Sequence, residues 1–271
     1  MHVEPHSVAA IVMAGGVNRI PLFDGYQPGY KALVPVNGTP SIRYPLRALR
    51  ASRYVQDICV VGSRDDLAGA VGDPSVAFTP PGGALLDSIV SGLKAFRDRP
   101  LVLATTADLA LLSGAIVDAF IEACAAAPTV FKTNLFVSVV RKEDFTGPFA
   151  RVDKIMGRFR DGTFCHGNLM LVQPTLLDEA VAMERINAMY AGRKGAISSA
   201  LALGVRVGLS FVIGVYLLHL LTMRQMAAIA SRRFQIGIVP VPIPYPEVAL
   251  DVDERADYQL VSEILAGRSA P

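Results

Sequence analysis

Apolar positions cluster in short unbroken runs along this chain, separated by stretches that repeat at helical spacing. Val8–Met13 in "VAAIVMAGGVNR" is apolar on both faces and stops at two glycines, the pattern of a fully buried parallel strand. Thr39–Ser52 follows with Ile42, Leu46 and Leu49 at helical spacing, then Tyr54–Gly62 as a strand. Ala84–Arg97 reads as a helix with Leu85, Ile89, Leu93 and Phe96 on one face, Pro100–Thr105 as a strand, and Ser113–Ala126 as a helix with Ser113 as its N-cap. Strands alternating with helices predict a mostly parallel sheet in a three-layer α/β/α arrangement. Beyond residue 127 the order loosens. Val130–Val140 and Phe164–Val172 read as strands around a long polar connection, and Leu176–Tyr190 reads as a helix. An apolar helix is expected over Val207–Met223, a strand over "IGIVPVPI" and a last helix over Ala256–Ala266. No linker divides the chain, so one domain over 1–271 is expected, with a less typical insert at about 176–246.

Composition narrows the classes. With 271 residues, 52% hydrophobic and 18% charged, the chain can bury a substantial core and is not disordered. A net charge of +2 without a basic run gives a nucleic-acid partner no electrostatic support. Cys59, Cys124 and Cys165 are odd in number and widely spaced, which argues against a disulfide framework or zinc site and for a reducing cytoplasm. The polar start "MHVEPHS" lacks a basic n-region, so no signal peptide is expected. "VGLSFVIGVYLLHLLTM", 207–223, lies at the lower end of the ~17–25 residues that span a bilayer. A buried helix is favoured; an interfacial helix and a span stay open.

Chemistry starts where the first strand ends. Gly15-Gly16 lets the backbone turn sharply and approach a ligand, and successive N–H groups there can cradle phosphate oxygens. Neither GxxxxGK[ST] nor GxGxxG follows that strand, so it is neither a P-loop nor a dinucleotide fingerprint; a tight turn remains the other reading. Arg19 and Lys31 bring positive charge after it, and Lys31 is a compact, rotatable donor suited to phosphate. If Leu250–Asp253 is extended, Asp251 and Asp253 share a face and can meet a divalent cation.

The stretch "AGGVNRIPLFDGYQPGYKALVPVNGTPSIRYPLRAL" resembles the signature of the GT-A-like nucleotidyltransferase superfamily, and the chain is similar to its MobA-like NTP transferases. Matching positions are Gly15, Gly16, Arg19, Lys31, Leu33, Pro35, Val36, Gly38, Pro40 and Ile42; Tyr30 replaces the usual proline. Three further blocks carry the likeness. "PPGGALLDSIVSGLKAF" implies that Gly82, Gly83 and Ser88 meet the nucleobase. "TADLA" implies Asp108 as a metal ligand, although Ala107 and Ala110 replace a glycine and a proline. "DVDERAD" implies Asp253 as the second ligand with Asp251 as alternate, and Asp257 falls in the first helical turn. "CHGNLM" implies an acceptor site at Gly167 and Asn168, with His166 weaker; Lys132, Arg151, Lys154, Arg158 and Arg160 are further basic candidates.

The resemblance thus implies transfer of NMP from an NTP to a phosphorylated small-molecule acceptor, with release of pyrophosphate. It implies Mg²⁺ or Mn²⁺ as cofactor. Ala14, Gly15, Gly16, Lys31, Gly82, Gly83, Ser88 and Asp108 would bind the nucleotide, GTP or CTP by preference. Lys31 and Arg19 would be the catalytic cations. Two alternatives stay open: a GT-A glycosyltransferase using a nucleotide-sugar, and a non-catalytic nucleotide-binding protein. A cytoplasmic location is expected. A homodimer and membrane-surface contact through 207–223 also stay open.

Overall fold

The computed structural model describes residues 3–191 and 221–269. Eight strands form one mixed sheet: β1 (Val8–Met13), β2 (Val55–Val61), β3 (Ala77–Thr79), β4 (Leu101–Thr106), β5 (Asn134–Arg141), β6 (Met156–Phe159), β7 (Gly162–Val172) and β8 (Gly237–Pro242). The order is β8-β5-β7-β4-β1-β2-β3, with β6 paired to β7. Strands β4, β1, β2 and β3 run parallel, as do β5 and β8; β7 lies antiparallel between the two groups.

Alternation along β1 shows why both faces must be covered. Val8, Ala10 and Val12 enter one core, whereas Ala9 and Ile11 enter the other. The first core takes Leu46 and Leu49 of α1 (Arg43–Ala51), Leu67 of α2 (Arg64–Val71), Phe120 of α4 (Gly114–Ala126) and Val261 of α7 (Arg255–Ser269). The second takes Leu93 of α3 (Leu85–Ala95), Ile186 of α5 (Ala180–Ala191) and Phe234 of α6 (Met223–Phe234). The result is the expected three-layer α/β/α arrangement.

Several boundaries differ from the sequence reading. The helix expected from Thr39 begins at Arg43, because Pro35–Val36 and Thr39–Pro40 pair around Asn37-Gly38. Both turn residues have positive φ, 47° and 77°, as a two-residue hairpin turn requires. On α3 the buried positions are Leu86, Ser88, Gly92 and Leu93, and Leu85 faces solvent. The strand read from Val130 starts at Asn134, with Val130 exposed. The helix read from Leu176 starts at Ala180, after a 3₁₀ turn at Pro174–Asp178. The polar connection contains β6, which pairs with the start of β7 as a hairpin. The segment 207–223 lies outside the described residues up to 220. Among the described residues no helix is long and apolar enough to cross a membrane.

Candidate active site

Because β1, β2 and β4 are parallel, their carboxyl ends open on one edge, where Met13 lies beside Val61 and Thr106. Ligands of open α/β sheets bind at that edge. A cleft of about 500 Å³ lies there, lined by Ala14, Gly15, Gly16, Lys31, Gly82, Gly83, Ser88, Asp108, Asn168 and Asp251 among others. Ten residues singled out in the sequence therefore meet in one cavity. The loop carrying Lys31 is folded back by a short ladder, Val17–Asn18 against Gly29–Tyr30, and the Lys31 amide donates to the Gly16 carbonyl at 2.9 Å.

The second wall is the turn before α3. Gly82 N–H donates to Ser88 Oγ (2.9 Å), and that hydroxyl donates to the Ala84 carbonyl (3.1 Å). A Cβ on Gly82 would stand 2.1 Å from Asp87 Cβ, so the turn closes this tightly only with glycine. Ser88 thus holds the shape of the turn.

Asp108 follows β4 and is 4% exposed. Its Oδ2 lies 3.2 Å from Lys31 Nζ, while its Oδ1 is buried without a hydrogen-bond partner. Burial raises the Asp108 carboxyl, against the opposing pull of Lys31. Lys31 also pairs with Asp253. Burial alone would lower the Lys31 ammonium; the carboxylates of Asp108 and Asp253 outweigh that and raise it, so it stays protonated. Asp108, Asp251 and Asp253 each bring an oxygen within 4.8 Å of the others. A set of carboxylate oxygens with one buried, unpartnered atom suits a hard divalent cation.

Asp253 also borders a second groove of about 540 Å³, lined by Arg151, Lys154, Glu254, Asp257 and Glu263 among others. Lys154 joins the two cavities. Its Nζ lies 2.9 Å from Asp251 Oδ1 and 3.2 Å from Asp257 Oδ2. Asp257 in turn accepts from the Glu254 amide at the start of α7 (3.2 Å). The sequence offered Lys154 only as one of five basic candidates. Asn18 was not singled out at all, yet it is buried and its Nδ2 donates to the Asp253 carbonyl at 3.1 Å. Its position inside the Gly-Gly-x-x-Arg run was the available signal.

Several candidates lie elsewhere, among them Lys132, Arg158 and Arg160, which line neither cavity. Arg19 is exposed and does not line the cleft. His166 is exposed and outside it as well. Gly167 is packed inside the sheet, where a Cβ would stand 2.3 Å from Ser138 Oγ and 2.8 Å from Val248 Cγ2. The β5–β7 register shifts between His166 and Met170, and the Leu169 amide donates to Ser138 Oγ (3.1 Å). This irregularity carries Asn168 into the cleft, as bulges beside functional sites often do.

Fold and cleft together define a Rossmann-like nucleotidyltransferase architecture. The model of the MobA-like NTP transferase domain matches residues 10–200, and the chain belongs to that family. A hypothetical transferase from Thermus thermophilus is 30% identical over 92% of this chain and 98% of its own, with a TM-score of 0.76. The 4-diphosphocytidyl-2C-methyl-D-erythritol synthase of Anaerococcus prevotii shares the fold at 13% identity, covering 96% of each chain with a TM-score of 0.56. A CMP:2-keto-3-deoxy-manno-octonic acid synthetase complexed with CTP does so at 10% identity, covering 98% of this chain and 100% of its own, TM-score 0.56. No curated protein matches the chain.

Proposed function

We propose that the protein transfers NMP from an NTP to a phosphorylated small-molecule acceptor. The observation that carries this reading is the meeting of the Gly15-Gly16 edge, Lys31, Asp108 and Asp251 at one cleft, with an Asp253 oxygen within 4.8 Å of both carboxylates. The family supports NTP chemistry in general. In this reading the backbone of Ala14–Gly16 aligns the triphosphate, Lys31 neutralises charge on it, and exposed Arg19 would meet its distal end. Gly82, Gly83 and Ser88 form the wall for the base. Asp108 and Asp253, with Asp251 as alternate, would hold Mg²⁺ or Mn²⁺, which when bound screens the phosphate charge. Asn168 would contact the acceptor, and Gly167 permits the backbone shape that points it there. The acceptor phosphate oxygen attacks the α-phosphorus, the bond from that phosphorus to the bridging oxygen breaks, and pyrophosphate leaves. The attacking phosphate is already anionic near neutral pH, so no general base is required. The relative complexed with CTP favours CTP for the first trial, ahead of GTP. A cytoplasmic location without nucleic-acid partners belongs to the same reading.

The test is pyrophosphate release from each of four NTPs with Mg²⁺ across a panel of phosphorylated acceptors. Acceptor-dependent release with one NTP is expected. Asp108→Asn and Asp253→Asn should each abolish most of it, and the double variant should cost little more than either, as residues acting as one unit do. Turnover of a nucleotide-sugar without pyrophosphate would assign the glycosyltransferase alternative, and binding without turnover a sensor.

A further inference from the structure

Three carboxylates within 4.8 Å repel one another, and two lysines balance them. Their bonding differs. Lys154 is tied to Asp251 and Asp257, and the latter also accepts from the Asp253 and Glu254 amides just before α7. Lys31 instead reaches from a loop to Asp108 and Asp253, the two carboxylates that the proposed function assigns to the cation. Its ammonium occupies the cation side of that cluster while its own backbone closes onto Gly16, where phosphate would lie. Asp108 Oδ1, buried and unpartnered, shows that the ammonium satisfies the cluster only in part.

We propose that Lys31 is a removable stand-in for the divalent cation, whose ammonium competes with that cation for Asp108 and Asp253 until an anionic triphosphate draws it away. The inference rests on the nucleotidyltransferase reading for the identity of the triphosphate, and on geometry alone for the competition. Lys31 has two anionic sites within reach and one positive charge. With no nucleotide it neutralises the carboxylates and opposes cation entry. A triphosphate provides a second home for the ammonium, frees the carboxylates and admits the cation. Cation and nucleotide therefore assist each other's binding, by the same factor in each direction. The lysine that meets the phosphates also keeps the metal site closed when there are none.

The test measures Mn²⁺ binding without nucleotide, from the electron paramagnetic resonance signal of free Mn²⁺. Wild type, Lys31→Met and Lys31→Arg are compared. Lys31→Met should bind Mn²⁺ more tightly by roughly tenfold, within the usual span of coupling between sites, and Lys31→Arg should not. Adding a non-hydrolysable α,β-methylene triphosphate, with the Mn²⁺ held by the nucleotide itself subtracted from a protein-free control, should tighten Mn²⁺ binding by a larger factor in wild type than in Lys31→Met. A wild-type measurement guards against a variant that fails to fold. Acetylation of the Lys31 amine, read by mass spectrometry, should rise when Mn²⁺ is added alone. Equal or weaker Mn²⁺ binding by folded Lys31→Met, no Mn²⁺ binding by either protein, or Lys31 labelling indifferent to Mn²⁺ would each overturn the inference. Its failure is separable from that of the function. Tighter Mn²⁺ binding by Lys31→Met with no pyrophosphate from any NTP keeps the stand-in and removes the transferase; the reverse pattern does the opposite.

Discussion

Removing the Lys31 charge should destabilise the metal-free protein by about 2–3 kcal/mol. Breaking a fully buried ion pair by deleting one partner costs ~3–5 kcal/mol, because the other charge is left stranded. Here the stranding is uneven. The Asp108 side chain is 6% exposed and has no other cation at hydrogen-bond distance among the described residues, whereas those of Lys31 and Asp253 are 26% and 44% exposed and keep part of their hydration. The cost therefore falls below that of a fully buried pair. Asp108→Asn removes the charge that burial disfavours and should cost about 1 kcal/mol or less. The double variant Lys31→Met/Asp108→Asn strands nothing buried, so it should be no less stable than Lys31→Met alone. Urea unfolding in EDTA, followed by circular dichroism, measures all four corners of the cycle. The pH dependence has a definite sign. The Lys31 ammonium is raised above its unfolded value of ~10.5, so its contribution is complete below about that pH and is lost as pH rises through the folded value. The gap between wild type and Lys31→Met should hold across neutral and mildly alkaline pH and close only beyond. A Lys31→Met protein within about 0.5 kcal/mol of wild type, or strictly additive losses in the cycle, would refute this account of the cluster.

Other outcomes follow from packing. Gly167→Ala should cost about 1–3 kcal/mol by driving a methyl into Ser138 Oγ and Val248, and Ser138→Ala in the same chain should recover part of it; urea midpoints decide, and an unaltered Gly167→Ala midpoint contradicts the close packing. The three cysteines should resist thiol reagents in the folded state. All are buried, and burial pushes the Cys59 thiol up to about 11, which leaves about a thousandth of it as thiolate at pH 8. Counting with a colorimetric disulfide reagent should give none quickly in native protein and three in urea. Ser113→Ala should cost about 1 kcal/mol, since the Ser113 hydroxyl accepts from the Ile116 amide at the start of α4; thermal midpoints that coincide would show that the cap contributes nothing.

The parallel half of the sheet was legible because its strands are apolar on both faces, so Val8–Met13 is correct to the residue. Elements with little burial left no such trace. Helix α2 buries only Leu67 and Val71, and it is punctuated by Ser63 and the left-handed Gly72 rather than by periodicity. Strand β6 has no fully buried position, so it read as part of a polar connection. Helix α6 starts at a Thr222/Gln225 capping box directly after an apolar run, and that run obscured it. Around the cleft, Lys31, Asp108 and Asp253 stood out through the motifs shared with nucleotidyltransferases, and Asp251 and Asp253 also through alternate positions in one short segment. Lys154 did not, because its partners lie about a hundred residues away and one lysine in a basic loop resembles the next. The interior place of Gly167 was equally hidden. Glycine beside a candidate asparagine reads the same whether it faces a ligand or a neighbouring strand.

The carboxylate cluster joins segments more than 140 residues apart. Asp108 is made early, at the edge of the parallel strands, but Asp251 and Asp253 enter only with the segment that leads into α7, which Asn18 secures through the Asp253 carbonyl. During synthesis a ribosome that has not reached residue 251 has made the glycine edge, the lysine and the Gly82-Gly83 turn, yet only one of three carboxylates. Lys31 at that stage has Asp108 alone as its acidic partner in the cluster. In the proposed function, the cation site is therefore complete only once residue 253 has been made, and fragments that stop before residue 251 keep Gly15-Gly16, Lys31 and the Gly82-Gly83 turn with one of the three carboxylates.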